Sequence, residues 1–371
     1  MQISDVKVTQ YRRPSETGGT DYSAEIQIVE IETDTGLTGI GFASAPSKTG
    51  DLVTRMILDL LRPRLLGKDP HCNAEIWKEL YWEAAPRRGG DGMMRTALAA
   101  VDFAIWDLKG KAASVPIAKL LGKFTEDVPT YANCAHHLPP EDLAQRAAEY
   151  VAAGHRALKI RGSATFVSLS EATDRVRHVR HAIGPDVRLM VDVNGTWDVD
   201  TAIQQLKVWE PYDVYWLEEP VPPHDMAGYS RIKERSGATY IVGGEQNVGL
   251  IEFDALISAG VDIVQPNAMV AGGITPWLEL HALATANSVP ISPWNLQHVH
   301  LHMAAGLPNI QWIEYFMPDN ALLAFQGELF QNTMQEVVRD DGIYLKAPAK
   351  PGLGLELNPD MANKCRVGKQ A

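Results

Sequence analysis

Residues 24–42, AEIQIVEIETDTGLTGIGF, alternate apolar and polar positions around Ile26, Ile28 and Ile31, then reach a turn at Asp34-Thr35-Gly36. A period of two predicts strands, and the turn predicts a β-hairpin or meander. From about 51 to 122 the period lengthens. In RTALAAVDFAIWDLKGKAAS, Leu98, Val101, Ile105 and Leu108 recur at spacings of three or four and form one apolar helical stripe. This first part reads as a small α+β unit. From about 126 the rhythm changes again. Eight apolar runs (VPTYANC, HRALKIR, VRLMVDV, DVYWLEE, TYIVGGE, VDIVQPN, VPISPW and IQWIEYF) mostly start about 22 to 30 residues apart, with helical stretches such as PEDLAQRAAEYVAAG between them. The pattern predicts an α/β fold, a (β/α)8-type barrel of the TIM kind. A doubly wound sheet is the rival, but it does not explain functional-looking residues at the ends of so many strands. After about 325 a tail rich in Gly, Pro and short strand signals is expected to return to the N-terminal unit. The divisions read as 1–125, 126–325 and 326–371.

Barrels carry their chemistry at the C-terminal ends of the strands. There Asp192 follows VRLMV, Glu218 follows YDVYWL and Glu245 follows YIVGG, at intervals of 26 and 27 residues. One strand, one helix and two loops fit each interval, so the acids are expected at one end of three successive parallel strands. A single acid after a strand reads as a helix cap, but capping does not require the same phase three times. Three converging carboxylates repel one another unless a hard divalent cation lies among them, and an all-oxygen set without Cys or His points to Mg²⁺ rather than Zn²⁺.

The second strand ends in Lys159 and Arg161, two residues apart and therefore on one face. Two cations beside a divalent ion indicate an anionic substrate, most simply a carboxylate, which would lose its α-proton to give an enediolate. The other strand ends supply Asn194, Gln265, Asn267, Trp294, Asn295 and Glu314. Trp294 would wall the pocket. His298, His300 and His302 follow the seventh strand, but at that spacing on a helix they do not share one face. His298 is placed to reach the site from the helix start, and the other two read as structural.

Composition narrows the function classes. The chain has 371 residues, 45% hydrophobic and 22% charged, which suits a globular protein with one large domain and a lesser one. A net charge of −12 argues against nucleic acid as a partner. No run approaches the roughly 18 apolar residues of a membrane helix, and MQISDVKVTQYRR lacks a signal-peptide core. Three scattered cysteines, Cys72, Cys134 and Cys365, favour reduced thiols and a cytoplasmic location. A homo-oligomer acting on a small-molecule substrate is expected.

The stretches VDFAIWDLKGKAASVPIAKLLG, ALKIRG, VDVNGTW, WLEEP, GGEQN and QPNAMVAGG together resemble the enolase superfamily, in its mandelate racemase and muconate-lactonising branch, over nearly the whole chain. The resemblance implies an N-terminal domain capping a modified (β/α)7β barrel, and Mg²⁺ held by Asp192, Glu218 and Glu245. It also implies capping loops near 14–22 and 44–50, whose Arg12, Arg13, Ser47 and Lys48 would help choose the substrate. Glu314 matches an acid that can hydrogen-bond the developing enediolate.

The chain departs from that family at its bases. Members commonly carry Lys-x-Lys on the second strand, and here the second position is Arg161, whose guanidinium hardly deprotonates. Members also often pair an Asp on the sixth strand with a His on the seventh, and here those positions are Asn267 and Trp294. Three explanations stay open. Lys159 is the base, its pKa lowered by Mg²⁺ and Arg161. Alternatively Arg161 takes the proton in an unusual environment, or works with a Tyr or a loop histidine such as His136 or His137. Thirdly, the barrel binds metal and acid without turnover. The expected activity is β-elimination of water from an acid sugar, with His136, His137 or metal-bound water as the acid. Racemisation lacks the seventh-strand base, and cycloisomerisation remains an alternative.

Overall fold

Three strands open the chain: β1 (Ile3–Arg12), β2 (Glu25–Thr33) and β3 (Thr38–Ala45) form an antiparallel meander. Gly36, at φ +83°, makes the tight turn between the last two. The computed structural model describes residues 1–13, 25–45, 49–84, 91–134, 138–162, 167–318, 320, 323–331 and 334–367. One stripe of the helix Met93–Ala112, carrying Leu98, Val101, Ile105 and Leu108, packs with Val29, Ile31 and Ala43 of the sheet. Another stripe, with Ala99, Phe103 and Trp106, belongs to the larger core that surrounds the barrel. Gly39 and Gly41 allow the close approach of sheet and helix. A Cβ on either would lie 2.2 Å from the Ala104 carbonyl oxygen or 2.0 Å from that of Ala100.

Two buried aspartates on this helix fix it to its surroundings. Asp102 accepts from the Thr275 hydroxyl (2.6 Å) and backbone N–H (2.9 Å) at the start of the helix Ile274–Ala286. Asp107 accepts from the backbone N–H of Ile40 (2.8 Å) and Leu353 (2.7 Å). An acid at a helix N-terminus satisfies donors that the helix itself leaves unpaired.

The parallel strands β4 (Asp127–Asn133), β5 (Ala157–Arg161), β6 (Arg188–Asp192), β7 (Val214–Glu218), β8 (Tyr240–Gly243) and β9 (Ile263–Val264) follow in order. The seventh stave, expected as the strand VPISPW, is a single bridge at Ile291, paired with Val264 on one side and Ile310 on the other. Pro290 and Pro293 flank it, and proline has no N–H to give to a ladder. β10 (Ile313–Tyr315) pairs with β4 and closes the ring at eight staves. After it, β11 (Glu336–Arg339) and β12 (Gly342–Lys346) form a hairpin whose second strand runs antiparallel to β4. The final described residues bridge Arg366 to Tyr11 on β1.

Alternation along the staves sorts their side chains. Leu158, Ile160, Leu189, Val191 and Leu217 point outward beneath the helices. Tyr131, Ala157, Met190, Trp216, Val242 and Ile263 point inward and close the barrel interior with an apolar plug. Among the described residues no helix is long and apolar enough to cross a membrane.

If contact between β3 and the long helix holds the N-terminal unit together, Gly41→Ala should cost about 1–3 kcal/mol by overpacking. Gly327→Ala, in a helix where an added Cβ meets nothing within 4 Å, should be neutral or stabilising. Thermal unfolding of the two variants checks this. Equal midpoints would contradict the packing described.

Candidate metal centre and active site

Above the plug, every stave brings a polar side chain inward, on most of them at the next inward position. Asn133, Lys159, Asp192 and Glu218 lie on β4 to β7, Glu245 and Gln265 just past β8 and β9, Ser292 beside the bridge, and Glu314 on β10. All eight are buried. The parallel register sets Arg161 beside Asp192, and Asp192 beside Glu218. Gly244, at φ +123°, lets the chain turn where Glu245 leaves β8.

Ligand oxygens of Asp192, Glu218 and Glu245 lie within 4.8 Å of one another. Asn194 fixes the first of the three: its N–H and side-chain amide donate to the two Asp192 oxygens at 2.9 and 3.2 Å. One oxygen each of Glu218 and Glu245 is buried with no hydrogen-bond partner. Burial and the charge of Asp192 push Glu218 up to about 8, against the pull of Lys159. Burial, with Glu219, Asp192 and Glu218 alongside, holds Glu245 well above the usual carboxylate range. Converging oxygens, unpartnered and disfavoured as anions, with no nitrogen or sulfur donor among them, fit a hard divalent cation such as Mg²⁺.

Lys159 occupies the centre of this charge. Its ammonium donates to Glu218 Oε1 (2.7 Å), lies 2.9 Å from Glu314 Oε1 and 3.9 Å from Asp192 Oδ2, and faces the Tyr131 ring at 5.6 Å. Burial alone would lower its pKa, but Glu218 and Glu314 outweigh that and raise it well above the ordinary lysine value. In the metal-free protein the charges nearest Lys159 are thus carboxylates rather than the Arg161 guanidinium, whereas the expected lowering depends on Mg²⁺ as well as Arg161. Glu314 is fixed in turn, accepting from the Asn133 amide (2.8 Å) and the Asn295 N–H (3.0 Å). Arg161 lies one inward step above Lys159, half-buried, with its Nε unpartnered.

Some of the other expected residues have different roles, while His300 and His302 keep the structural one expected. Asn267 is not free for a substrate: its oxygen caps the helix Ala268–Ala271 and its amide donates to the Trp294 carbonyl at 3.0 Å. His298 is buried beside the Gln326 amide, 3.4 Å away. It packs on Phe330 and lines a cleft of about 360 Å³ against the tail, beside Leu301, Lys346 and Leu353. Trp294 is half-buried at the end of the seventh stave. His300 and His302 are structural. Burial lowers both to about 4, and their ring nitrogens join Asn295 to Ala268, and Leu353 to Ala118. Arg12 is engaged with Glu25 and Arg13 with Glu328. His136, His137, Ser47, Lys48 and loop positions 14–22 lie outside the described residues.

The sequence reading missed Glu219, the second acid of WLEEP. It is buried, left-handed at φ +43°, and raised to about 7 by burial and Asp192. One of its oxygens accepts from Gln246 at 2.7 Å and the other has no partner. Asn133 and Ser292 were missed as well, although both continue the inward alternation of their staves.

Comparison with known proteins bears on the same arrangement. Residues 3–122 match the model of the mandelate racemase/muconate lactonizing enzyme N-terminal domain, and residues 142–361 match the enolase C-terminal domain-like model. The chain is 33% identical to the 3,6-anhydro-alpha-L-galactonate cycloisomerase of Streptomyces coelicolor, over 99% of this chain and 100% of that protein. It is 31% identical to the L-talarate/galactarate dehydratase of Salmonella typhimurium, over 90% of this chain and 82% of that one. The structure of L-talarate dehydratase from Polaromonas sp. JS666, complexed with Mg and L-glucarate, superposes with a TM-score of 0.83 at 31% identity, covering 100% and 99% of the two chains. With both family models matched along most of its length, the chain belongs to the mandelate racemase/muconate lactonizing enzyme family of the enolase superfamily.

Proposed function

We propose that this protein is a Mg²⁺-dependent lyase that removes the proton α to the carboxylate of an acid sugar and expels the β-hydroxyl as water. The observation that carries this reading is the convergence of Asp192, Glu218 and Glu245 beside two cations on the neighbouring stave. Bound by these three carboxylates, Mg²⁺ would supply positive charge that weakens the hold of Glu218 and Asp192 on the Lys159 proton, leaving Glu314 as its partner, and would polarise the substrate carboxylate.

The chain's own groups do the rest. Arg161 offers a planar fork to the substrate carboxylate. Glu314, held by Asn133 and the Asn295 N–H, orients the Lys159 amine. Lys159 takes the α-proton, and the C–H electron pair becomes a carbon–carbon double bond as the β C–O bond breaks. The proton passes from Lys159 to the departing hydroxyl, which leaves as water, and the resulting enol relaxes to a 2-keto-3-deoxy acid. One base on one face serves such a syn elimination. Racemisation requires a second base opposite, where this chain carries Trp294 and an Asn267 already committed to backbone. A burial deep enough to exclude bulk water strengthens each of these interactions.

Cycloisomerisation is the second reading, favoured by the 33% identity to the Streptomyces coelicolor enzyme over nearly the whole chain. It begins with the same proton but releases no water.

Two measurements follow. In D₂O with Mg²⁺, proton NMR of galactarate, D-gluconate and D-arabinonate should show loss of the α-proton signal on at least one acid, with a 2-keto product if water leaves. Lys159→Ala should slow this by about 10²–10⁴, the usual worth of a positioned general base. Exchange that survives in Lys159→Ala contradicts the assignment of the base. Exchange on none of the acids in the wild type favours a barrel that binds without turnover.

The second concerns stability. Glu218 (about 8) and Glu219 (about 7) keep protons in the folded state that an unfolded carboxylate loses near its ordinary value. Metal-free stability should therefore fall as pH rises through that window. His300 and His302, lowered to about 4, contribute a slope of opposite sign only below the unfolded histidine value of about 6.5. From about pH 6.5 to 8 the chelator-treated protein should thus lose thermal stability, and the gain on adding Mg²⁺ should grow. A Mg²⁺ increment that shrinks over this range contradicts the cluster as the ion's site.

A further inference from the structure

We propose that Gln265 and Ser292 form the neutral wall of the active site and hydrogen-bond hydroxyls along the substrate's carbon chain, so selecting polyhydroxy acids over acids with fewer hydroxyls. The inference rests on the acid-sugar reading above and names the side chains that recognise the sugar.

The two residues are neighbours by register. Val264 pairs with Ile291, and the next residue on each stave is Gln265 and Ser292. The Ser292 N–H donates to the Val264 carbonyl (3.0 Å) and the Gln265 N–H to that of Gly243 (2.8 Å), which anchors both backbones. Gln265 stands two residues above Ile263 of the plug, so its side chain shares the inward face. Both residues are fully buried. Neither amide atom of Gln265 has a hydrogen-bond partner, nor does the Ser292 hydroxyl.

Their neighbours in the same layer are committed. Asn133 donates to Glu314, Lys159 is held by Glu218 and Glu314, and Asn267 caps a helix. Gln265 and Ser292 alone among these neutral side chains keep their hydrogen-bonding capacity unspent. A buried polar group without a partner disfavours folding, and an apolar residue would fill the same space, so fold stability does not explain the pair.

Position and chemistry identify the ligand group. In a closed ring of eight, the sixth stave lies across from the second, so Gln265 faces the stave of Lys159 and Arg161. A substrate whose carboxylate sits near those cations extends its chain toward the neutral side. An amide offers two donors and an acceptor, and a hydroxyl offers a donor and an acceptor. That mixed, uncharged set matches sugar hydroxyls, which both donate and accept. It does not suit a phosphate, which calls for cations.

The test is calorimetric titration of the Mg²⁺-loaded protein with D-gluconate, D-arabinonate, galactarate and 2-hydroxybutanoate, a one-hydroxyl probe. Wild type should bind at least one polyhydroxy acid at least about tenfold more tightly than 2-hydroxybutanoate. Gln265→Met and Ser292→Ala should each weaken that acid by about tenfold while changing 2-hydroxybutanoate by less than about twofold. Ser292→Ala removes a single oxygen and preserves the test if Gln265→Met does not fold. Equal weakening of both probes would make the pair structural and overturn the proposal. Unchanged affinities would leave the pair with water as its only partner and overturn it too. Loss of Mg²⁺ affinity without any acid present would assign Gln265 to the ion instead. Wild-type protein that binds none of the four acids would overturn the acid-sugar reading and this inference with it.

Discussion

Like charge confined inside a barrel is the constraint on which this structure turns. Asp192, Glu218 and Glu245 are brought within 4.8 Å of one another and away from water, where carboxylates are poorest as anions. The fold tolerates this because the ring beneath is fixed. A plug of Tyr131, Met190, Trp216, Val242 and Ile263 leaves no room for the staves to move inward, and outward side chains pack under the helices. In the ion-free protein Lys159 offers the one buried positive charge among the described residues of the layer, and it is drawn to Glu218 and Glu314. Such a buried pair adds little net stability once desolvation is counted, and it is retained where function needs the groups.

Four of the strained turns lie at the same place. Asn194, Glu219, Asn295 and Leu296 all adopt left-handed backbone without being glycine. Each lies just past the C-terminal end of a stave, and three have a specific hold. Asn194 donates to Asp192, Glu219 accepts from Gln246, and the Asn295 N–H donates to Glu314. The strained turns are pinned by the polar layer that they help to position, so the mouth of the barrel is built as one unit. The long helix with Asp102 and Asp107 ties the N-terminal sheet, a barrel helix and the tail into that unit.

Much of this was legible in the sequence because it depends on short periods. The stripe of Leu98, Val101, Ile105 and Leu108 and the common phase of Asp192, Glu218 and Glu245 are local patterns that packing preserves. What failed depends on contacts between distant segments. The carboxylates that hold Lys159 in the metal-free protein, Glu218 and Glu314, come from other staves, so these ion pairs could not be read from the nearby Arg161. Asn267 precedes a helix, and an asparagine there serves equally as a cap or a ligand. The structure spends it on the cap. The prolines in VPISPW were a readable sign that a full strand would not form. Gln265 was noted as a strand end, but only the absence of a partner, seen in three dimensions, separates it from an ordinary buried amide.

One hard cation between β6, β7 and β8 would part Glu218 from Lys159. Diffraction from crystals grown with Mn²⁺ in place of Mg²⁺, recorded at the manganese absorption edge, tests it most directly. The expected outcome is one anomalous peak bonded to oxygens of Asp192, Glu218 and Glu245, with the Lys159 ammonium released from Glu218. Density in which Lys159 still bridges Glu218 and Glu314, with no peak among the three carboxylates, would contradict it.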